Sequence, residues 1–182
     1  MNKVTSRGQL RTFYQNCRGL TAIKLQYYKT LLDDDIFDVV AIAETWHPRF
    51  LQISPDPYVL STSINFNRRR AGYADGGVCI LALPSRHHEF TCTTQLDCIT
   101  IKHHHLLTMM FAYLPPSLEE ETLAELISQW PPTDIFVADV NKELRGQLPK
   151  KGALLEYCLQ NNLVYQRCTN SQPKLDLSLI HI

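Results

Sequence analysis

The stretch Val39-Val40-Ala41-Ile42-Ala43-Glu44-Thr45-Trp46 decides the fold. Its first five residues are apolar without a break, and a carboxylate follows directly. A strand with one face in water alternates apolar and polar residues, whereas a strand covered on both faces is apolar throughout. We therefore predict that Val39–Ala43 is an inner strand with a layer packed against each face.

Six other short apolar runs along the chain have the length of strands. They are predicted at Leu10–Tyr14, Val78–Leu83, Cys98–Lys102, Leu106–Leu114, Ile135–Val140 and Leu175–Ile180. The stretch from Thr91 to Leu114 has the pattern of a β-hairpin, and the loop from His47 to Asp75, rich in proline, asparagine and arginine, is predicted to be irregular.

Three helices are predicted from apolar residues that recur at helical spacing. The first carries Leu20, Ile23, Tyr27 and Leu31 and ends at the acidic run Asp33-Asp34-Asp35. The second begins at Ser117 with Glu120 as a capping box, carries Leu123, Leu126, Ile127 and Trp130, and stops at Pro131. The third runs from Lys151 to Asn161 with Leu155, Cys158 and Leu159 on one face.

The alternation of strands and helices predicts one α/β domain spanning residues 1–182. The expected architecture is a four-layer sandwich, with two sheets packed face to face and helices outside. The composition fits a soluble globular protein, since 45% of the residues are hydrophobic and 20% are charged. The longest apolar run, Leu106–Leu114, is about half of what crosses a bilayer, so no membrane partner is expected.

Charge and cysteine usage limit the setting of the protein. The 18 Lys and Arg residues balance the 18 Asp and Glu residues, so no overall field draws the chain onto nucleic acid. The six cysteines form no C-x-x-C pair and are predicted to be small buried residues in a reducing, intracellular compartment. The sequence shows no recognisable targeting signal, and a nuclear location is plausible.

Polar residues stand at the ends of several predicted strands. They are Asn16, Glu44, Tyr113, Asp139, Asn141 and Asp176. In layered α/β folds, ligands bind beyond the carboxyl ends of the strands, so these side chains are expected to converge on one cleft. Carboxylates and amides without a cysteine suit Mg²⁺ or Mn²⁺, and such a cation suits phosphodiester chemistry.

Seven ordered segments resemble the endonuclease/exonuclease/phosphatase family, most closely the endonuclease domains of non-LTR retrotransposons. They are Tyr14-Gln15-Asn16-Cys17-Arg18-Gly19-Leu20, Ala43-Glu44-Thr45-Trp46, Asp75-Gly76-Gly77-Val78-Cys79-Ile80, Ala112-Tyr113-Leu114-Pro115-Pro116, Ala138-Asp139-Val140-Asn141, Gly152-Ala153-Leu154-Leu155-Glu156 and Leu175-Asp176-Leu177. Each alone is a weak signal, but their order across nearly the whole chain is a specific one.

The resemblance implies a role for each polar residue. Glu44 would be the main metal ligand, with Asn16 beside it. Asp139 would orient or deprotonate the attacking water, while Asn141 and Tyr113 would contact the phosphate. Asp176 would support the catalytic group that the family supplies from its C-terminus. Taken singly, each residue also has a structural explanation, such as a turn for Asn16 or the core for Tyr113.

The sequence departs from the family pattern in two places. Ala138 and Val140 replace a glycine and a phenylalanine that flank the catalytic aspartate, which is expected to shift geometry only slightly. The Ser-Asp-His block that closes the family pattern is absent, so we expect the last strand or strands to be missing. His181 is not assigned the role of that block. Loss of an acid–base pair predicts a rate lower by roughly two to four orders of magnitude.

Two further groups of residues were weighed as binding sites. Arg68, Arg69 and Arg70, together with Arg18, are candidates for contacts with DNA phosphates, and a solvated charged turn explains the arginine run equally well. The histidines at 87–88 and 103–105 invite a zinc interpretation. Because adjacent residues on a strand point to opposite faces, few of them could share one ion, and no zinc site is predicted.

Three hypotheses of function remain open from the sequence. The favoured one is a Mg²⁺- or Mn²⁺-dependent endonuclease that nicks DNA, derived from a retrotransposon whose reverse transcriptase, or whose own C-terminal segment, would be its partner. The second is a catalytically dead remnant or nucleic-acid-binding domain of the same fold. The third is a phosphoesterase that acts on a lipid, a sugar or an RNA.

Overall fold

Two β-sheets pack face to face in the computed structural model of the chain. The structure describes residues 10–46, 51, 54–63, 69–70, 73–74, 76–96, 98–104, 107–115, 118–139, 152–167 and 177–181. At 69–70, 73–74, 139, 164–167 and 177–181 the description is of the backbone alone.

The strands in chain order are β1 Thr12–Asn16, β2 Val39–Ala43, β3 Val59–Thr62, β4 Arg69–Arg70, β5 Tyr73–Ala74, β6 Val78–Ala82, β7 Phe90–Gln95, β8 Cys98–His103, β9 Thr108–Tyr113, β10 Ile135–Asp139, β11 Leu163–Arg167 and β12 Leu177–His181. The α-helices are α1 Ala22–Asp33, α2 Glu120–Ser128 and α3 Ala153–Gln160, and a 3₁₀ helix spans Pro84–Glu89.

The first sheet has the strand order β1-β2-β6-β3, and the second has the order β11-β12-β10-β9-β8-β7. Within them, β1 is parallel to β2 and β9 is parallel to β10, while the other neighbouring strands are antiparallel. Strands β4 and β5 form a separate two-stranded ribbon. Each sheet therefore holds one parallel pair, and the two pairs carry the candidate site.

The alternation of side chains along β2 divides its apolar residues between two cores. Val39, Ala41 and Ala43 pack between the sheets, against residues of β8 and β9 such as Ile99 and Phe111. Val40 and Ile42 face the other way, into a core that α1 closes. All five residues of β2 are 0% exposed, which explains the unbroken apolar run.

The outer face of the second sheet is closed by α2 and α3. Met110, Phe136 and Ala138 pack there against Leu123 and Tyr157. The layers are therefore α1, first sheet, second sheet, and α2 with α3. The predicted α/β sandwich is confirmed. No helix among the described residues is long and apolar enough to cross a membrane.

The buried face of α1 differs from the predicted one. Ile23 is 84% exposed and Tyr27 is 54% exposed, although both were expected in the core. Leu31 of the same stripe is buried as predicted, and the other buried residues of the helix are Leu25, Tyr28 and Leu32. The helix was predicted correctly, but its orientation was wrong because two apolar stripes overlap in its sequence.

The N-cap of α2 and the buried face of α3 also differ from the predicted ones. Glu119, and not Ser117, is the N-cap of α2, and it makes no side-chain capping bond; Ser117 lies outside the described residues. The Glu120 carboxylate instead accepts a hydrogen bond from the backbone N–H of Ala153, at the start of α3. In α3, Tyr157 and Cys158 are buried, whereas Leu159 is 66% exposed.

Several strands lie where none was predicted. The region 47–75, expected to be irregular, contributes β3 to the first sheet and also contains the β4–β5 ribbon. The predicted hairpin from Thr91 to Leu114 is a three-stranded meander of β7, β8 and β9. Strand β11 was missed, since Leu163–Arg167 mixes polar and apolar residues and was too short to stand out.

Candidate functional site

Strands β1 and β9 face each other across the two sheets and run in the same direction. Thr12 Oγ1 lies 3.6 Å from Met109 Sδ. Two residues farther along β1, the Tyr14 hydroxyl donates to the Ala112 carbonyl oxygen at 3.4 Å. The Tyr14 ring also stacks on Phe111, with centroids 6.3 Å apart. The residue numbers rise together on both strands, so their carboxyl ends lie at the same end of the sandwich.

The parallel pairings extend this alignment to four strands. Asn16 is the register partner of Ala43, which immediately precedes Glu44. Tyr113 is the register partner of Asp139. We call this end of the molecule, where Asn16, Glu44, Tyr113 and Asp139 stand, the carboxyl edge. Face-to-face sheets lie roughly 10 Å apart, so the two pairs border the same part of the interface.

Three loops at the carboxyl edge are joined by backbone hydrogen bonds. Loop 17–20 donates to loop 44–46, from Gly19 N to Glu44 O at 2.7 Å and from Leu20 N to Thr45 O at 2.9 Å. Loop 44–46 donates in turn to Gly76 and Gly77, with Trp46 N to Gly76 O at 3.0 Å. Three of the seven segments that carried the resemblance are thus one hydrogen-bonded unit, which fixes the backbone on both sides of Glu44.

These three loops contain most of the left-handed residues recorded for the described backbone. Six of them lie here: Arg18 (φ 46°), Gly19 (φ 90°), Glu44 (φ 51°), Trp46 (φ 54°), Gly76 (φ 84°) and Gly77 (φ 86°). A side chain in this region costs on the order of 1–3 kcal/mol, and such costs cluster at functional sites. Three of the six residues carry side chains, so the loops keep a conformation that is locally unfavourable.

Two glycines are required by contact as well as by conformation. A Cβ on Gly19 would lie 2.6 Å from Trp46 Cε3, and a Cβ on Gly77 would lie 2.8 Å from Thr45 Oγ1. Loop 44–46 therefore packs directly on the two glycine backbones. Both glycines stand within the sequence motifs, and a motif glycine is the signal of a close backbone approach that could have revealed them.

Lys24 is a third residue to which the sequence motifs gave no role. Its Nζ donates to the Cys17 carbonyl at 2.6 Å and to the Gly19 carbonyl at 2.8 Å. The ammonium group thereby braces the loop that connects Asn16 to α1. Cys17 itself is no nucleophile, since burial raises the pKa of its thiol to about 11.

Asn16 and Glu44 offer the oxygen donors that a hard cation prefers. Both side chains are half-buried, and Asn16 Oδ1 accepts a hydrogen bond from Arg18 N at 3.0 Å, which orients the amide. Carboxylate and amide oxygens suit Mg²⁺ and Mn²⁺, so the donor chemistry fits such an ion. Among the residues whose side chains are described, no three His, Cys, Asp or Glu groups come together as a metal-binding cluster.

The remaining predicted site residues are described to different depths. Tyr113 is 6% exposed and belongs to the core between the sheets. Asp139 closes β10, but its side chain lies outside the described part of the chain. The same holds for the side chains of Arg69 and Arg70, whose backbone forms β4. The predictions for Arg68, Asn141 and Asp176 fall on residues outside those described.

A cavity of about 470 Å³ lies elsewhere, on the outer side of α2 and α3. Ile127, Trp130 and Tyr157 are among the residues that line it, and none of the predicted site residues does. Among its polar groups, the Tyr157 hydroxyl donates to the Pro131 carbonyl at 2.8 Å. The cavity is therefore separate from the carboxyl edge.

Comparison with known proteins bears on the fold. No protein-family model and no curated protein matches the sequence, but solved structures match over most of the chain. An AP endonuclease from Archaeoglobus fulgidus matches with a TM-score of 0.52 and 13% identity, over 94% of this chain and 86% of that one. AP endonuclease LMAP from Leishmania major gives a TM-score of 0.54 and 9% identity, over 94% and 79%.

A third match is a 3′ phosphatase, NExo from Neisseria, solved with a product DNA hairpin. Its TM-score is 0.50 with 12% identity, over 95% of this chain and 87% of that one. The chain has the endonuclease/exonuclease/phosphatase fold. The structural matches establish the architecture. Sequence identities this low do not carry the chemistry over, because one fold serves many functions.

Proposed function

We propose that this chain is a divalent-metal-dependent phosphodiesterase that nicks DNA at the carboxyl edge. The observation that carries the proposal is the common direction of β1 and β9, given by the contacts Thr12–Met109 and Tyr14–Ala112. With the parallel pairs β1–β2 and β9–β10, it brings the carboxyl ends of four strands to one end of the sandwich. Ligands of layered α/β proteins bind at such ends.

Each of the predicted site residues has a proposed part in hydrolysis. Glu44 and Asn16 would hold Mg²⁺ or Mn²⁺, which when bound stabilises negative charge on a phosphate oxygen. Asp139 would orient the attacking water towards phosphorus and accept a proton from it. Asn141 would hold the phosphate. The Tyr113 hydroxyl would donate to a phosphate oxygen, and Asp176 would orient a catalytic group.

DNA is the proposed substrate for two reasons. The fold neighbours are named AP endonucleases and a 3′ phosphatase, the last of them bound to product DNA. Arg18 is exposed two residues after Asn16, and it is proposed to contact a phosphate together with Arg68, Arg69 and Arg70.

The origin of the chain in a non-LTR retrotransposon is part of the same proposal. It rests on the segments around Asn16, Glu44 and Gly77, whose loops are hydrogen-bonded into one unit. A reverse transcriptase encoded beside this chain would be the partner. Genomic sequence around the gene tests this point, since an unrelated neighbourhood with no trace of such an enzyme would contradict it.

Plasmid nicking tests the activity. The purified chain with Mg²⁺ should convert supercoiled plasmid to the open circle, and Glu44→Gln should lower the rate at least a hundredfold. The substitution keeps the size of the side chain but removes the charge that holds the cation. Product is quantified on agarose gels over time, with EDTA as a blank.

Glu121→Gln is the matched control, because it removes one carboxylate from the exposed first turn of α2. It should nick at the wild-type rate. Equal rates for wild type and Glu44→Gln would contradict the proposal and favour a non-catalytic nucleic-acid-binding domain. Release of phosphate from small phosphate esters, with intact plasmid, would favour a phosphoesterase of different specificity.

A further inference from the structure

An exposed tryptophan stands at the carboxyl edge, two residues after Glu44. Trp46 is 44% exposed, among the few large apolar side chains that reach the surface of the described chain. Its amide donates to Gly76 O at 3.0 Å, and its backbone is left-handed with φ 54°. The chain thus accepts an unfavourable conformation to hold an aromatic ring in contact with water.

The ring packs on the backbone of Gly19 and is still partly exposed to solvent. The Cε3, Cζ3 and Cδ2 atoms of Trp46 lie against the backbone of Gly19, so close that a Cβ there would come within 2.6 Å of the ring. Arg18, the exposed residue just before Gly19, is oriented through its backbone bond to Asn16 Oδ1. Trp46 and Arg18 therefore both lie in the hydrogen-bonded loops that carry Glu44 and follow Asn16.

We propose that Trp46 is a stacking platform for an unpaired base next to the scissile phosphate. Every base has a π-face that stacks on an aromatic side chain, with a contribution of about 1–3 kcal/mol per base. Arg18 adds a cation suited to the adjoining phosphate. The inference rests on the proposed function for the identity of the substrate, a nucleic acid.

The charge balance favours an unpaired base over duplex DNA as the occupant. Tight binding to duplex without stacking requires many neutralised phosphates, and this chain has 18 basic and 18 acidic residues. In an intact duplex each base is already stacked on its neighbours and hidden from the ring. Single-stranded, gapped or frayed DNA exposes a base without that cost.

Intrinsic fluorescence isolates this residue, because the chain has two tryptophans and the other, Trp130, is 8% exposed in the core beneath α2. The protein is titrated with an eight-nucleotide oligothymidylate in EDTA, so that no cleavage occurs. Emission should fall as the base stacks on Trp46, and the blunt duplex of the same length should quench far less.

Variants separate stacking from packing. Trp46→Leu should lose the quenching and bind a fluorescein-labelled oligothymidylate roughly tenfold more weakly by anisotropy, whereas Trp46→Phe should stay within about threefold. Tyr27→Leu, which removes an exposed aromatic ring from α1, is the matched control and should bind like wild type. Emission of the buried Trp130 reports that each variant is folded.

Three outcomes would overturn the inference: no binding of the oligothymidylate, unchanged affinity in Trp46→Leu, or equal quenching by the blunt duplex. Its failure is distinguishable from failure of the proposed function. If single strands quench the tryptophan emission but the chain does not nick plasmid, the proposed activity is contradicted and base stacking on Trp46 is still supported.

Discussion

Gly19 illustrates how a single residue fixes the geometry of the carboxyl edge. Its φ of 90° turns the chain between Asn16 and α1, and its missing side chain lets Trp46 rest on the backbone. The Gly19 N–H donates to the carbonyl of Glu44 at 2.7 Å. One glycine therefore determines the position of both the proposed metal ligand and the proposed stacking ring.

Gly19→Ala is expected to lower the free energy of unfolding by about 2 kcal/mol. The methyl group adds the cost of a left-handed alanine, on the order of 1–2 kcal/mol, and forces the Trp46 ring to move. Urea denaturation followed by circular dichroism measures the change. Gly152→Ala is the control, because Gly152 is an extended N-cap residue where alanine meets no left-handed strain and should cost about 0.5–1 kcal/mol. Equal losses in the two variants would contradict this account.

Helix α1 shows what periodicity leaves undecided at the scale of an element. Thr21 caps the helix, accepting from Lys24 N at 3.2 Å. The spacing of apolar residues was enough to predict the helix. It did not select between the stripe through Ile23 and Tyr27 and the stripe through Leu25 and Tyr28, because both are apolar at helical intervals. The choice followed from the direction in which the helix meets Val40 and Ile42 of the first sheet.

A pair of substitutions tests that orientation. Leu25→Ala should cost about 2–4 kcal/mol in the free energy of unfolding, since it leaves a cavity under α1. Ile23→Ala should change it by less than about 0.5 kcal/mol, because Ile23 is 84% exposed. Denaturant melts of both variants give the comparison. A larger loss for Ile23→Ala would restore the orientation predicted from the sequence.

At the scale of the whole molecule, an ion-pair network joins the two sheets at the end opposite the carboxyl edge. Asp38, before β2, is 3% exposed and accepts from the backbone N–H of Arg11 at 2.8 Å and from its Nε at 3.2 Å. Arg86 contacts Asp38 and also binds Glu89 at 2.7 Å. Glu89 in turn contacts His103 of β8 at 3.4 Å, which reaches the second sheet.

The network makes stability depend on pH in the acid range. Burial alone would raise the pKa of Asp38, but the hydrogen bonds from Arg11 and Arg86 outweigh it and the pKa of Asp38 lies below its ordinary value. A carboxyl group with a lowered folded-state pKa stabilises the fold above its unfolded pKa, about 3.9. That contribution is lost as the pH falls through the folded value.

Asp38→Asn should therefore destabilise the protein by about 2–3 kcal/mol at pH 7, a moderate figure because both arginines are partly exposed. Its stability should also fall less steeply than that of wild type below about pH 4. Thermal melts from pH 3 to 7 measure both effects. Asp35→Asn, at a carboxylate that is 57% exposed, is the control and should cost less than about 1 kcal/mol. Parallel pH profiles for wild type and Asp38→Asn would rule the mechanism out.

The layered fold was predictable because burial on both faces leaves a direct mark on composition. Apolar patterns indicate which surfaces are buried. Examples are the unbroken apolar run of β2 and the apolar stripe of α2 through Leu123 and Ile127. Strands β3 and β11 escaped prediction because their neighbours in the sheet, and not their own pattern, make them strands. Pairing partners distant in the chain contribute hydrogen bonds that no local pattern records.

For the candidate site, the sequence by itself determined the types of residue at the strand ends: oxygen donors in Asn16, Glu44 and Asp139, and glycines wherever two loops touch. Only the tertiary structure decided that β1 and β9 run the same way across the interface, and that Trp46 rests on Gly19 while staying 44% exposed. Residue types are local information. Direction and contact between sheets arise from packing of side chains that lie about a hundred positions apart, and so they exist only once the chain has folded.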